Sequence, residues 1–129
     1  MTAPVSFSVV IPAFNEEKRL PQTLAKVLAF LRARGETFEV VVVDDGSIDR
    51  TAAVAREGGP EVRVLQNPGN RGKGYSVRHG MLGARGEWRL MTDADLSTPI
   101  EDLDTLTRAL EGAEIAIASR AVAGANVEK

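Results

Sequence analysis

The sequence contains no cysteine. Disulfides, thiolate nucleophiles and zinc–thiolate sites are thereby excluded, and the absence suits a cytosolic compartment. No apolar run reaches the roughly 20 residues that a membrane-spanning helix needs. Residues Met1 to Ser6 lack a basic start and lead straight into a strand-like run, which is not the form of a signal peptide. An excess of one charge is lacking too. The 16 Lys and Arg are balanced by 18 Asp and Glu, for a net charge of -2. The basic stripe of a nucleic-acid binder is therefore missing, and no nucleic-acid partner is expected. The dinucleotide fingerprint Gly-x-Gly-x-x-Gly does not follow the first predicted strand, which disfavours NAD or FAD. What is present is an ordinary soluble composition, 43% hydrophobic and 26% charged over 129 residues. That is one domain able to bury its own core. A cytoplasmic protein is expected, with room for peripheral association at the inner face of a membrane. Nothing in the composition sets an oligomeric state.

Strand and helix signals alternate. Phe7 to Ile11 is a short β-branched run closed by Pro12, and it predicts a buried strand. Asn15 is placed to cap a following helix, with Glu16 and Glu17 in its first turn. Leu20, Leu24, Val27, Leu28 and Leu31 fall on one face of that helix, and Gly35 ends it. Phe38 to Val43 predicts a second strand. Its four consecutive valines imply cover on both faces, as in a parallel sheet. Asp49 can cap a helix from about Arg50 to Arg56, and Val62 to Gln66 reads as the third strand. A helix from about Lys73 to Ala84 and a strand from Trp88 to Thr92 follow. Thr98, Pro99 and Glu101 form a capping box for a helix to about Leu110, and Ile115 to Ser119 is a fifth strand. Strands joined by helices of this length predict an α/β fold with a mainly parallel sheet and helices on both faces.

Ligands of such sheets bind beyond the carboxyl ends of the strands, and the polar residues cluster there. Asp93-Ala94-Asp95 directly follows the fourth strand. Two carboxylates at i and i+2 can converge on one hard cation, Mg²⁺ or Mn²⁺, with substrate phosphates as further ligands. The bland alternative is a turn near a helix cap. Asp44-Asp45-Gly46-Ser47 is either a common turn or the place where Asp45 accepts a hydrogen bond from a nucleobase or ribose, with Asp44 serving structure. The segment Gly69 to Gly74 fails the Walker spacing. It reads as a flexible cationic loop that can approach a diphosphate, or as a merely solvated one. His79 reads as a surface or packing residue, and Trp88 as core.

Taken together, residues 7–16, residues 41–51 and Asp93-Ala94-Asp95 resemble the family 2 glycosyltransferases of GT-A (Rossmann-like) fold. The segment Asn70 to Gly74, with Arg78, Gly80, Met81 and residues 85–87, is most similar to their dolichyl-phosphate β-glucosyltransferase branch. The resemblance implies that Pro12, Phe14 and Glu16 line a nucleotide pocket and that Asp45 holds the base. It implies further that Arg71 and Lys73 lie beside the donor phosphates. Asp93 would contact the nucleotide-sugar and Asp95 the metal, and these two acids are the catalytic candidates. Phe14 stands where relatives often carry tyrosine. The implied partners are a nucleotide-sugar donor, with UDP-glucose the expected one, and a polyprenyl phosphate or other acceptor. The family's catalytic base and acceptor site lie beyond the Asp-x-Asp motif, so residues 1–129 are expected to be a nucleotide-sugar-binding domain truncated before that half. Two alternatives stand beside this: a non-catalytic nucleotide-sugar-binding fragment, and a haloacid-dehalogenase-type phosphatase suggested by Asp93-Ala94-Asp95-Leu96-Ser97.

Overall fold

A computed structural model describes residues 5–92, residue 94 and the backbone of strand 115–117. Five parallel strands form one sheet. They are β1 (Phe7–Ala13), β2 (Phe38–Asp44), β3 (Val62–Gln66), β4 (Trp88–Met91) and β5 (Ile115–Ile117), in the order β3-β2-β1-β4-β5. Helices α1 (Leu20–Arg34), α2 (Thr51–Arg56) and α3 (Lys73–Gly83) connect the first four strands. The chain winds outward from β1 to β3, then crosses back to place β4 on the other side of β1. The reversal puts α1 and α2 on one face and α3 on the opposite face. The predicted helix 98–110 lies outside the described residues.

The alternation of side chains along a strand explains the valine run of β2. Val40 and Val42 join Val9, Ile11, Leu24, Val27 and Ala55 in the layer under α1 and α2. Val41 and Val43 join Val10, Met81 and Met91 in the layer under α3. All four valines are fully buried, so each face of β2 needed an apolar residue. On α1, Leu20, Leu24, Val27, Leu28 and Leu31 are all buried, and Gly35 closes the helix in the left-handed conformation at φ 80°. Trp88 opens β4 and packs, half-buried, against the core.

Two expectations at the first strand are corrected. The strand does not stop at Pro12 but runs to Ala13, pairing with Val43 and Asp44 of β2. Pairing with β4, however, ends at Val10, whose carbonyl accepts the Thr92 N–H at 3.0 Å. Pro12 lies two residues on, on the same side, with no N–H to continue that ladder. The sheet therefore splits between β1 and β4 where the winding reverses. Likewise, Asn15 does not cap α1, which begins at Leu20 with no side-chain cap. Asn15 sits at φ 53° and is bonded elsewhere.

A polar cluster at the opposite edge of the sheet was not anticipated. Glu39, 2% exposed, accepts bonds from Ser8 Oγ (2.6 Å), Arg63 Nε (2.9 Å), the Arg85 N–H (2.7 Å) and Arg85 Nε (3.2 Å). Burial pushes its carboxyl up, but the bonds from Ser8, Arg85 and Arg63 outweigh it, so Glu39 titrates below the ordinary glutamate range. A group lowered on folding stabilises above its unfolded pKa, and that contribution is lost as the pH falls through its folded pKa. Glu39→Gln is therefore expected to cost about 2 kcal/mol at neutral pH, since it removes charge from a bonded, buried acceptor. Denaturant titrations at decreasing pH should show the deficit narrowing as Glu39 itself becomes protonated.

Candidate functional site

The split between β1 and β4 opens a cleft of about 340 Å³ at the carboxyl edge of the sheet, lined by Pro12, Ala13, Phe14, Glu16, Asp45, Lys73, Ser76 and Ala94. Three loops and the first turn of α3 build it.

The loops after β1 and β2 are laced together. Asn15 N–H donates to Ser47 Oγ (2.9 Å), and Asn15 Oδ1 accepts from Ile48 N–H (3.0 Å). Glu16 N–H donates to Thr51 Oγ1 (2.9 Å), Glu17 N–H to Asp49 Oδ2 (3.3 Å), and Arg50 N–H to Glu17 Oε1 (2.9 Å). Asp49 also accepts from the N–H and hydroxyl of Thr51 at the start of α2. Asn15 and Glu17 thus satisfy the neighbouring loop rather than a helix of their own. Glu16 lines the cleft, and its carboxylate bridges Arg19 through both oxygens, at 2.9 and 3.2 Å.

Asp44 and Asp45 point in different directions. Asp44, 3% exposed, accepts the Ser47 N–H (3.1 Å) and shapes the turn. Asp45, 5% exposed, lines the cleft and holds the loop 67–72. Its Oδ1 accepts from Arg71 N–H (2.7 Å) and Asn67 Nδ2 (2.8 Å), and its Oδ2 accepts from Gly72 N–H (2.9 Å). Burial raises the Asp45 carboxyl, but the Arg71, Asn67 and Gly72 donors and the nearby Arg71 charge outweigh it. The group titrates below the usual aspartate range and is ionised at neutral pH. The loop expected to be flexible is instead fixed. Besides these bonds, Asn67 N–H donates to the Asp44 carbonyl (2.9 Å) and Asn70 Nδ2 to the Asp45 carbonyl (3.2 Å). Gly46 allows this approach: at φ 75°, a Cβ there would lie 2.6 Å from Gly69 C.

Five of the expected binding residues, Pro12, Phe14, Glu16, Asp45 and Lys73, thus meet around one cleft. Arg71 is not among its lining. The Arg71 guanidinium folds back to the Pro68 carbonyl at 2.8 Å, and the backbone N–H is the part of Arg71 that serves the site. Asp93 and Asp95 lie outside the described residues. Ala94 between them in sequence is 4% exposed, lines the cleft, and accepts a bond from the Thr23 hydroxyl of α1. Among the described residues no three acids or histidines gather around a common point. Sequence reasoning missed Ser76 and Asn67. Ser76 lies three residues after Lys73, hence on the same helical face. That spacing was the available signal.

The glycosyl transferase family 2 model matches residues 8–129. The chain belongs to that family. Over 117 residues it is 47% identical to a dolichyl-phosphate beta-glucosyltransferase of Drosophila melanogaster, covering 83% of this chain and 36% of the relative. The enzyme of the same name from Homo sapiens is 44% identical over 113 residues, covering 80% and 35%. Among solved structures, a mannosyltransferase from Pyrobaculum calidifontis in complex with GDP-Man and Mn²⁺ superposes with TM-score 0.61. It shares 28% identity and covers 73% of this chain and 28% of its own. The fold is the GT-A arrangement of family 2 glycosyl transferases. The phosphatase alternative falls with the family assignment. The chain spans about a third of the length of the curated relatives it matches. Among the described residues, no helix of this family 2 domain is long and apolar enough to cross a membrane.

Proposed function

We propose that this chain is the donor-binding part of an inverting glycosyltransferase that moves glucose from UDP-glucose to a polyprenyl phosphate such as dolichyl phosphate. The observation that carries the reading is the cleft at the β1/β4 split, which gathers Asp45, Glu16 and Lys73 from separate stretches of sequence. Identity of 44–47% to dolichyl-phosphate beta-glucosyltransferases supports the sugar and the acceptor. A lipid acceptor would bring the reaction to a membrane surface, and we assign it to the cytoplasmic face. The acceptor site and the catalytic base belong, on this reading, to the part of such proteins that this chain does not span.

On this reading a divalent cation would be held beside the cleft by Asp93 and Asp95. Ala94, pinned by Thr23, lines the wall, and its sequence neighbours Asp93 and Asp95 offer the carboxylate oxygens that Mg²⁺ or Mn²⁺ prefer. When bound, such an ion neutralises charge on a diphosphate. The protein's own residues do the rest. Asp95 is assigned to hold the ion and Asp93 to contact the nucleotide-sugar. Pro12, Phe14 and Asp45 bind the nucleoside. Lys73 in the first turn of α3 offsets the negative charge that develops on the leaving diphosphate as the glycosidic bond breaks. A lipid phosphate is already largely anionic at neutral pH, with a second pKa of about 6, so a strong general base is less necessary than for a sugar hydroxyl.

Calorimetry of UDP binding tests the assignment. Mn²⁺ is expected to tighten UDP binding at least about tenfold, a 1.4 kcal/mol effect, and Asp95→Ala is expected to abolish the dependence. Equal affinity in both proteins, with and without Mn²⁺, would refute the metal role. A preference for GDP would instead favour a mannose donor. Product formation from UDP-glucose and a lipid phosphate separates a transferase from a fragment that only binds.

A further inference from the structure

We infer that His79, on the outer side of α3, is a positioning residue for the donor site, acting through Asn67. The inference rests on the reading of the cleft as the nucleotide-sugar site. The chemistry of the hydrogen bonds fixes the chain of contacts. The Asp45 carboxylate, ionised at neutral pH, can only accept, so the Asn67 atom 2.8 Å from it is the amide nitrogen. The second hydrogen of that nitrogen goes to Ser76 Oγ (2.8 Å), and Ser76 in turn donates to the Gly72 carbonyl (3.0 Å). The Asn67 amide oxygen is thereby turned toward α3, where His79 Nδ1 lies 2.7 Å away. An amide oxygen has no proton to give, so Nδ1 must carry one. His79 therefore holds its proton on Nδ1, whether the ring is neutral or charged. The edge of the Tyr75–His79 pair, with centroids 6.1 Å apart and planes at 73°, helps to set the ring orientation.

Asn67 is 6% exposed and has every polar atom of its side chain engaged. Without a donor at its oxygen, the buried amide would keep the nitrogen end that Asp45 selects but leave its oxygen unsatisfied, and the side chain would shift to regain a partner. Asp45 and Ser76, which both line the cleft, each take one hydrogen of the Asn67 nitrogen, and both bonds depend on where that amide is held. His79 thus acts on the donor site from one helical turn beyond Ser76, without touching the cleft.

Two measurements on the chain decide the matter. Nitrogen-15 NMR of the neutral His79 ring should show the proton on Nδ1. A ring protonated on Nε2 instead overturns the inference, and it does so whatever the cleft binds. UDP titrations in Mn²⁺ should show His79→Phe, which keeps a ring but no donor, binding about tenfold more weakly. His79→Asn, whose amide nitrogen occupies the place of Nδ1, should return to within about twofold of the unsubstituted chain. Equal affinity in all three proteins would overturn the positioning role while leaving the cleft reading intact. Failure of the unsubstituted chain to bind UDP would overturn the cleft reading, and this inference with it.

Discussion

Replacing Gly80 by alanine is expected to lower the melting temperature by about 10 °C, a loss of about 3 kcal/mol. The sign runs against helix propensity, which favours alanine over glycine by about 1 kcal/mol in a helix interior. Packing decides. A Cβ at Gly80 would stand 2.3 Å from Val10 Cγ1 and 2.9 Å from Val43 Cγ2. Both valines are fully buried on the adjacent strands β1 and β2, and β-branched side chains have little χ1 freedom with which to retreat. Relief would require α3 to lift from the sheet, and the Lys73–Ser76 turn at the cleft would move with it. Gly74, in the same helix, supplies the control: nothing lies within 4 Å of its Cβ position. Gly74→Ala is expected to be neutral or stabilising by up to about 1 kcal/mol. Thermal melts of the two variants test the contrast, and comparable losses in both would refute the packing argument.

Asp45→Ala is expected to cost about 3–5 kcal/mol and to weaken UDP binding about a hundredfold or more. Three donors converge on this carboxylate, from Arg71, Gly72 and Asn67, and its removal leaves the Asn67 amide and two backbone N–H groups without their acceptor. Bonds to an ionised acceptor are worth about 1.5–3 kcal/mol each, but they share one group and do not add in full. Asp45→Asn should be milder in stability, because one amide oxygen still accepts, yet its NH₂ group must face a donor. The linkage sign follows from the lowered pKa: Asp45 stabilises above its unfolded value and ceases to do so as the pH falls through the folded one. The advantage of the native protein over Asp45→Ala should therefore shrink in acid. Chemical denaturation together with calorimetry would measure both effects. A variant that melts normally but no longer binds UDP would confine Asp45 to ligand contact.

Much of this fold is legible in local sequence. The valines of β2 announce a strand covered on both faces because each face of a parallel strand buries its own set of side chains. Gly35 and the leucine spacing define α1 because a helix obeys a short period. The loop after β1 is not legible locally because Asn15 has two uses for a polar side chain. Capping its own helix is the local one, and bonding to Ile48, 33 residues away, is the one the fold selects. The same limit hides Glu39, whose partners Arg63 and Arg85 are 24 and 46 positions distant. At the site, Pro12, Phe14, Glu16, Asp45 and Lys73 are legible because they follow strand ends or the loop after one, whereas Ser76, inside α3, is not. Nor are the supporting contacts of Asn67 with Asp45 and His79, since no periodicity relates them.

The lacing of the loop at residues 15–17 to residues 47–51 has a consequence for how a ligand would be received. Each loop supplies both donors and acceptors to the other. Neither can open without breaking bonds in both, so the two behave as one cooperative unit in local unfolding. Ordering entropy for this wall is spent when the domain folds, and little remains to be lost when a nucleotide arrives.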